Sequence, residues 1–280
     1  GELEPALLEG VIEYLLEAGC SGLFVAGTRG EAITLSANER ATVLRTTVAR
    51  TAGAVPIFFG IGTASTGETL QYAAMGAEYG ADVLVVVEPY FFKYSQEELQ
   101  AHYATIAEGA TRPVMAYHLP QLTGNSLAPQ TLARLALHRN LVGVKDSGPD
   151  LLNTRAYLEQ TPDDFTVLVG NDIAIPAALL MGAHGIISGP SNVLPQLYVA
   201  LFEACQSGNL AEQQRLYGLE LELLQALTGY GSQGATTKEA MRSLGIDAGL
   251  ARRPSLPSSP ENQARLAQRV LDLERRLAGN

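Results

Sequence analysis

Asp82-Val83-Leu84-Val85-Val86-Val87 is an apolar run of strand length, and Ser95-Gln96-Glu97-Glu98 soon after it opens a stretch with helical spacing. A run this short and this continuous in apolar character suits a strand buried on both faces of a parallel sheet. Ser95 and Glu98 have the spacing at which a hydroxyl and a carboxylate reciprocally satisfy free backbone N–H groups at a helix start. Strand, loop and capped helix make a βα unit. Similar runs recur outward from this one at 23–27, 55–60, 113–117, 141–145, 166–170 and 185–188, and Ser36-x-x-Glu39 repeats the capping box. A step of roughly 20 to 33 residues with no break in composition predicts an α/β chain, a (β/α)8 TIM barrel. A doubly wound open sheet is the alternative, because periodicity does not reveal closure.

Seven such runs are visible, and the chain opens on an amphipathic helix over about 3–18. A closed barrel needs an eighth strand, so the first barrel strand is expected to precede Gly1 and to be missing from this chain. After Pro195 the pattern turns to helices alone, over 196–206, 209–228, 234–245 and 260–278. Ser258-x-x-Glu261, with Pro260 at an early position, is expected to start the last of them. The reading is therefore a barrel over 1–195 lacking its first strand, with the C-terminal helical extension 196–280 packed on it. The 249–259 linker reads as a surface loop.

Composition narrows the function classes. Of the chain, 46% is hydrophobic, with 28 Gly and 14 Pro, and no apolar run reaches the roughly 18 to 20 residues of a membrane span. This is the profile of a soluble, enzyme-sized cytoplasmic protein. A net charge of −10 argues against nucleic acid or an anionic membrane surface as a partner, since phosphate binding needs a basic patch. Cys20 and Cys205 lack metal-ligand spacing and suit free thiols. No His/Asp/Glu cluster calls for a metal.

Lys145 is one of three lysines set against sixteen arginines, and it ends the run Leu141-Val142-Gly143-Val144. Arginine keeps its proton near neutral pH, whereas a desolvated lysine can become a free amine nucleophile, so Lys145 is a candidate Schiff-base former. A strand-terminal lysine paired with Asp146 or with a helix end is the other reading. In barrels the active site forms at the C-terminal strand ends. Read together, those ends supply Gly27-Thr28-Arg29-Gly30-Glu31, Tyr117-His118-Leu119-Pro120, Lys145-Asp146 and Ser188-Gly189-Pro190-Ser191-Asn192.

These segments, in this order, resemble the pyruvate-dependent class I aldolases typified by dihydrodipicolinate synthase and N-acetylneuraminate lyase. Gly27 to Glu31 is similar to the family's G-[ST]-[ST]-G-E loop, Tyr117 to Gly124 to its Y-N-x-P-x-x-[ST]-G segment, and Gly143 to Ser147 to its G-[IV]-K-[DE]-[ST] strand. The resemblance implies that Lys145 forms a covalent imine with pyruvate and that no other cofactor is needed. It implies that Tyr117 shuttles protons, with Thr28 hydrogen-bonded to the phenol. Backbone N–H groups of Thr28 and Arg29, beside Gly30, would hold the pyruvate carboxylate, and Ile187 and Gly189 would line the pocket. A 2-keto acid and an aldehyde are the implied partners, and a homotetramer built from dimers is the implied assembly.

Departures from the pattern bear on the substrate. Leu122 stands where dihydrodipicolinate synthases carry a carboxylate-binding arginine, and Phe91 where they carry a second tyrosine. Arg29 replaces a hydroxyl residue; it either faces the pocket as a cation or points outward to Glu31 or Glu88. His118 stands for an asparagine and reads as a hydrogen-bonded support for the substrate site. Asn171 could contact a hydroxylated substrate or cap a helix, and Lys238 reads as surface. The leading expectation is a lyase acting on a 2-keto-3-deoxy sugar acid; dihydrodipicolinate synthase is the alternative. A non-catalytic keto-acid-binding barrel, or a phosphate-binding barrel using the Ser188–Ser191 turn, also stays open.

Overall fold

A computed structural model describes residues 2–279. Its strands are β1 (Leu23–Val25), β2 (Ile57–Gly60), β3 (Val83–Val87), β4 (Val114–His118), β5 (Leu141–Asp146), β6 (Thr166–Val169) and β7 (Gly185–Ile186). They pair in sequential order, all parallel, as one seven-stranded sheet. Each run read as a strand in the sequence holds one of them. Among the described residues the sheet has β1 and β7 at its edges, and no eighth strand lies between them.

The helices are α1 (Pro5–Glu17), α2 (Ala37–Thr51), α3 (Thr66–Glu78), α4 (Gln96–Gly109), α5 (Pro120–Thr123), α6 (Pro129–Leu135), α7 (Leu151–Gln160), α8 (Ile175–Leu180), α9 (Pro195–Gln206), α10 (Leu210–Thr228), α11 (Gln233–Ser243) and α12 (Pro260–Leu277). None of the described helices is long and apolar enough to cross a membrane. The chain divides into two compact units. One comprises the stretches up to Ser21, Gly27–Val55 and from Ser188 onward; the other comprises Gly22–Ala26 and Pro56–Ile187.

The second unit contains the whole sheet with α3 to α8. Side chains alternate between its faces with the strand period of two. Val85, Met115, Tyr117 and Leu119 cluster on one face with Phe24, Phe58, Val87 and Leu168. Leu84 and Phe59 take the other face, where they press on Gly76 of α3. A strand buried on both faces has no polar side, which is why these runs lack the alternation of a half-exposed strand.

In the first unit α1 packs on α2, and α10 and α11 pack on α12. Leu216, Leu223, Leu266 and Val270 are fully buried there, and the Tyr14 hydroxyl donates to Val193 O at 2.8 Å. Both expected capping boxes form: Ser36 and Glu39 start α2, and Ser95 and Glu98 start α4 in the sheet unit. The start of α12 differs from expectation. Its cap is Ser259, accepting from Asn262 N, because Pro260 occupies the first helical position and so makes residue 259 the cap. Ser258 N–H goes instead to Glu239 Oε1, 2.8 Å away. The 249–259 loop is tied down by Arg252, whose guanidinium binds Glu39 and holds that carboxyl down at about 2, with Ser36 assisting.

Candidate active site

Lys145 and Tyr117 are register partners at the C-terminal ends of β5 and β4. Neighbouring residues in a parallel ladder project to the same face, so the amine and the phenol ring meet. Lys145 Nζ stands 4.0 Å from the centre of the Tyr117 ring and 5.0 Å from that of Phe24. Phe24 meets Tyr117 edge to face, with centroids 6.1 Å apart. Both Lys145 and Tyr117 are buried, at 6% and 5% exposure. None of the ion pairs among the described residues involves Lys145. Asp146 points to the opposite face, where it accepts from Thr154 Oγ1 at 2.6 Å and Gly148 N at 2.9 Å. Burial raises the Asp146 pKa, and those donors together with His118 work against the rise.

Two residues given no role in the sequence reading adjoin the amine. A Cβ on Gly170 would fall 2.6 Å from Lys145 Cε and 2.2 Å from Ser147 Oγ, so the lysine chain occupies space that only glycine leaves. Ser147 is buried beside it, and its hydroxyl has no hydrogen-bond partner among the described residues. The sequence signal for Gly170 is faint, a glycine ending a strand run, and close approach across two strands leaves no local trace.

His118 alternates to the helix side of β4, fully buried, with Nδ1 2.6 Å from Glu88 Oε1 and its ring edge to face with Tyr157 of α7. Glu88 also accepts from Leu119 N at 3.0 Å and Thr123 Oγ1 at 3.4 Å. His118 thus supports the strand end from behind. Leu122 in α5 is 63% exposed, and Phe91 is 87% exposed with φ +83°, its ring edge to face with Phe92. Asn125 holds their segment by donating to Pro89 O and Phe92 O and accepting from Tyr94 N. Lys93 donates to Gly124 O. Asn171 does not cap with its side chain; its amide donates to Gly148 O at 3.0 Å. Ile187 N donates to Val169 O at 2.9 Å and so continues the β7 pairing.

Thr28, Arg29, Gly30 and Gly189 belong to the first unit. Thr28 and Gly30 are exposed on a turn closed by Glu31 N donating to Thr28 O and Ala32 N to Gly27 O. Arg29 runs toward α11, donating from Nη1 to Gln233 O at 2.8 Å and Thr237 Oγ1 at 3.0 Å. Glu31, one of the two outward partners considered for Arg29, is engaged by Lys238 Nζ at 2.7 Å and by Arg252 N at 2.8 Å. Lys238 lies at the surface as a half-buried residue, its side chain 23% exposed and laid by α11 onto that carboxylate. In the Ser188–Ser191 turn, Ser191 Oγ donates to Ser188 O and Ser188 Oγ accepts from Ser191 N, so both hydroxyls are engaged within the turn.

Among the described residues no group of three or more His, Cys, Asp or Glu could hold a metal. A buried amine against a phenol ring, with no carboxylate neutralising it, is equipped to attack a carbonyl. Comparison with known proteins places the chain in a family. The model of the dihydrodipicolinate synthetase family matches residues 1–272. The chain is 37% identical to a 4-hydroxy-tetrahydrodipicolinate synthase of Methanopyrus kandleri, over 96% of this chain and 89% of that one. It superposes on a dihydrodipicolinate synthase from Bacillus anthracis with a TM-score of 0.93 at 31% identity, covering 97% of this chain and 92% of that one. It likewise superposes on YagE, an E. coli K12 prophage protein of the dihydrodipicolinic acid synthase family solved with pyruvate, with a TM-score of 0.91 at 30% identity, covering 98% and 94%. By match along its length and by fold, the chain belongs to the dihydrodipicolinate synthetase family, whose members are carbon–carbon lyases of the aldolase type.

Proposed function

We propose that the chain is a Schiff-base-forming, pyruvate-dependent aldolase in which Lys145 is the nucleophile. The observation that carries this reading is the buried Lys145 amine, 4.0 Å from the Tyr117 ring centre and outside every ion pair among the described residues. The neutral amine adds to the ketone carbon of pyruvate, and water leaves as the imine forms. The cationic imine then accepts the electron pair released when a methyl proton departs, giving an enamine. The enamine carbon attacks an aldehyde, the aldehyde oxygen takes a proton, and water hydrolyses the imine to free Lys145. In this reading Tyr117 relays those protons. Imine chemistry of this kind uses no metal or organic cofactor. For Thr28, Arg29, Gly30, Ile187 and Gly189, pyruvate binding rests on the family motif.

The relatives' names favour the dihydrodipicolinate synthase reaction, which takes aspartate semialdehyde as the aldehyde, over one with a sugar-acid aldehyde. A specific observation keeps the sugar-acid reading as second. Exposed Leu122 presents an isobutyl group where a guanidinium would clamp the carboxylate of aspartate semialdehyde, and Phe91 has no hydroxyl. The closed eight-stranded barrel is supported by the sequential parallel order of β1 to β7 and by the likeness to solved relatives. The homotetramer rests on the family resemblance. Borohydride reduction in the presence of pyruvate, followed by peptide mass measurement, tests the central claim; an unmodified Lys145 peptide overturns it. Turnover with aspartate semialdehyde against a panel of sugar-acid aldehydes then decides the acceptor.

A further inference from the structure

We infer that the Glu88–His118 couple is a positioning device for the Tyr117 phenol, an inference that rests on the pyruvate-imine reading above. His118 follows Tyr117 on β4, so strand alternation sends the phenol toward Lys145 and the imidazole toward the helices. Glu88, just past β3, has no exposed surface. A carboxylate that deep is tolerated only when donors surround it. Here they are His118 Nδ1 at 2.6 Å, Leu119 N at 3.0 and 3.3 Å, and Thr123 Oγ1 at 3.4 Å. All of these donors come from the segment that begins where Tyr117 ends. The couple therefore fastens the end of β4 to the end of β3.

A second attachment runs to the lysine strand. Ser147 N donates to His118 O at 2.9 Å, two residues beyond Lys145. His118 is thus bonded through its side chain to the β3 end and through its carbonyl to the β5 end, directly behind the Tyr117–Lys145 pair. Tyr157 of α7 faces its ring, and Asp146, its register partner on β5, lies on the same side. Proton relay between a phenol and a nascent imine depends on sub-ångström placement, and that placement is set by the backbone on which the phenol rides. The histidine is a departure of this chain, since the family motif has asparagine at position 118.

The test uses the full-length protein and pyruvate alone. Deuterium exchange into the pyruvate methyl group in D2O, followed by proton NMR, reads the proton-transfer steps, and borohydride trapping reads imine formation. Glu88→Gln removes the charge with the shape kept, His118→Phe keeps a ring without the donor, and His118→Asn returns an amide donor. The expected result is that Glu88→Gln and His118→Phe lower kcat for exchange by about tenfold or more while KM for pyruvate stays within about twofold, and both still reach full trapping. His118→Asn recovers most of the loss. Folded Glu88→Gln and His118→Phe proteins that exchange at the wild-type rate overturn the proposal, as does a loss confined to KM or a His118→Asn protein as slow as His118→Phe. If His118→Phe does not fold, Glu88→Gln and His118→Asn decide by the same criteria. Wild-type protein that fails to trap pyruvate sinks the aldolase reading itself, whereas trapping wild type with unaffected variants sinks only the positioning role.

Discussion

Lys145 and Tyr117 are register partners on β5 and β4, and the lysine amine lies over the tyrosine ring at 4.0 Å. The contact joins the proposed nucleophile to the proposed acid/base group without a connecting loop, since each side chain is carried by the sheet. Tyr117→Phe keeps the ring and removes only the hydroxyl. It is expected to slow methyl-proton exchange of pyruvate by about 10²–10⁴-fold while the protein keeps its stability. Lys145→Arg keeps the charge and is expected to abolish the borohydride adduct. An adduct of undiminished yield on Lys145→Arg would move the nucleophile elsewhere.

Gly170 is the space that the lysine chain occupies. A methyl there overlaps Lys145 Cε and Ser147 Oγ, both side-chain atoms, so the side chains give way before the backbone does. Gly170→Ala is expected to cost little stability and to re-aim the amine, lowering the trapping rate by about ten- to a hundredfold. Thermal melting alongside trapping kinetics checks this; a large fall in melting temperature with normal trapping contradicts it.

Arg29 and Gly189 form a second fitted pair, within the other unit. A Cβ at 189 would fall 2.4 Å from Arg29 Cγ and 2.7 Å from its Nε. The guanidinium cannot swing away freely, because Nη1 is bonded to Gln233 O and Thr237 Oγ1. Gly189→Ala should therefore destabilise the chain in the presence of Arg29 and much less in an Arg29→Ala background. A double-mutant cycle in urea should give a coupling of about 1–3 kcal/mol. Additive effects would refute the pairing.

His102 makes stability depend on pH. It is buried in α4, bonded through Nδ1 to Thr66 Oγ1 at 2.8 Å, and burial lowers its pKa from 6.5 to about 4. Above pH 6.5 the imidazole is neutral in folded and unfolded chains alike and contributes nothing. As pH falls from 6.5 toward 4 the unfolded chain binds a proton that the folded chain refuses, so stability drops, by up to about 3 kcal/mol. His102→Gln should flatten that part of the profile. Equal pH slopes for wild type and variant in denaturant titrations between pH 7 and 4 would rule out His102 as the source.

Much of this was legible in the sequence because it is local. Strand runs such as 82–87 and 141–145, and the boxes Ser36–Glu39 and Ser95–Glu98, depend on residues within a few positions of one another, and each formed as read. Where a local rule was applied one residue early, at Ser258, the proline geometry that corrects it was also local. The family motifs then marked Lys145 and Tyr117 by type and order. Which side chains lie against which was a different matter. Lys238 looks like any exposed lysine until α11 turns it onto Glu31, and Arg29 names no partner until α11 offers a carbonyl and a hydroxyl.

Hydrophobic period, capping chemistry and motif order are properties of short segments, so the βα repeat, the helical C-terminal stretch and the candidate nucleophile Lys145 were readable from the chain alone. Only the tertiary structure decided that Lys145 meets Tyr117 and not Asp146, that Gly170 makes room for it, and that Glu88 and His118 brace the strand ends behind it. The physical reason is register: in a parallel ladder a shift of one residue sends every side chain to the opposite face, and no single strand carries the information that sets its alignment with the next.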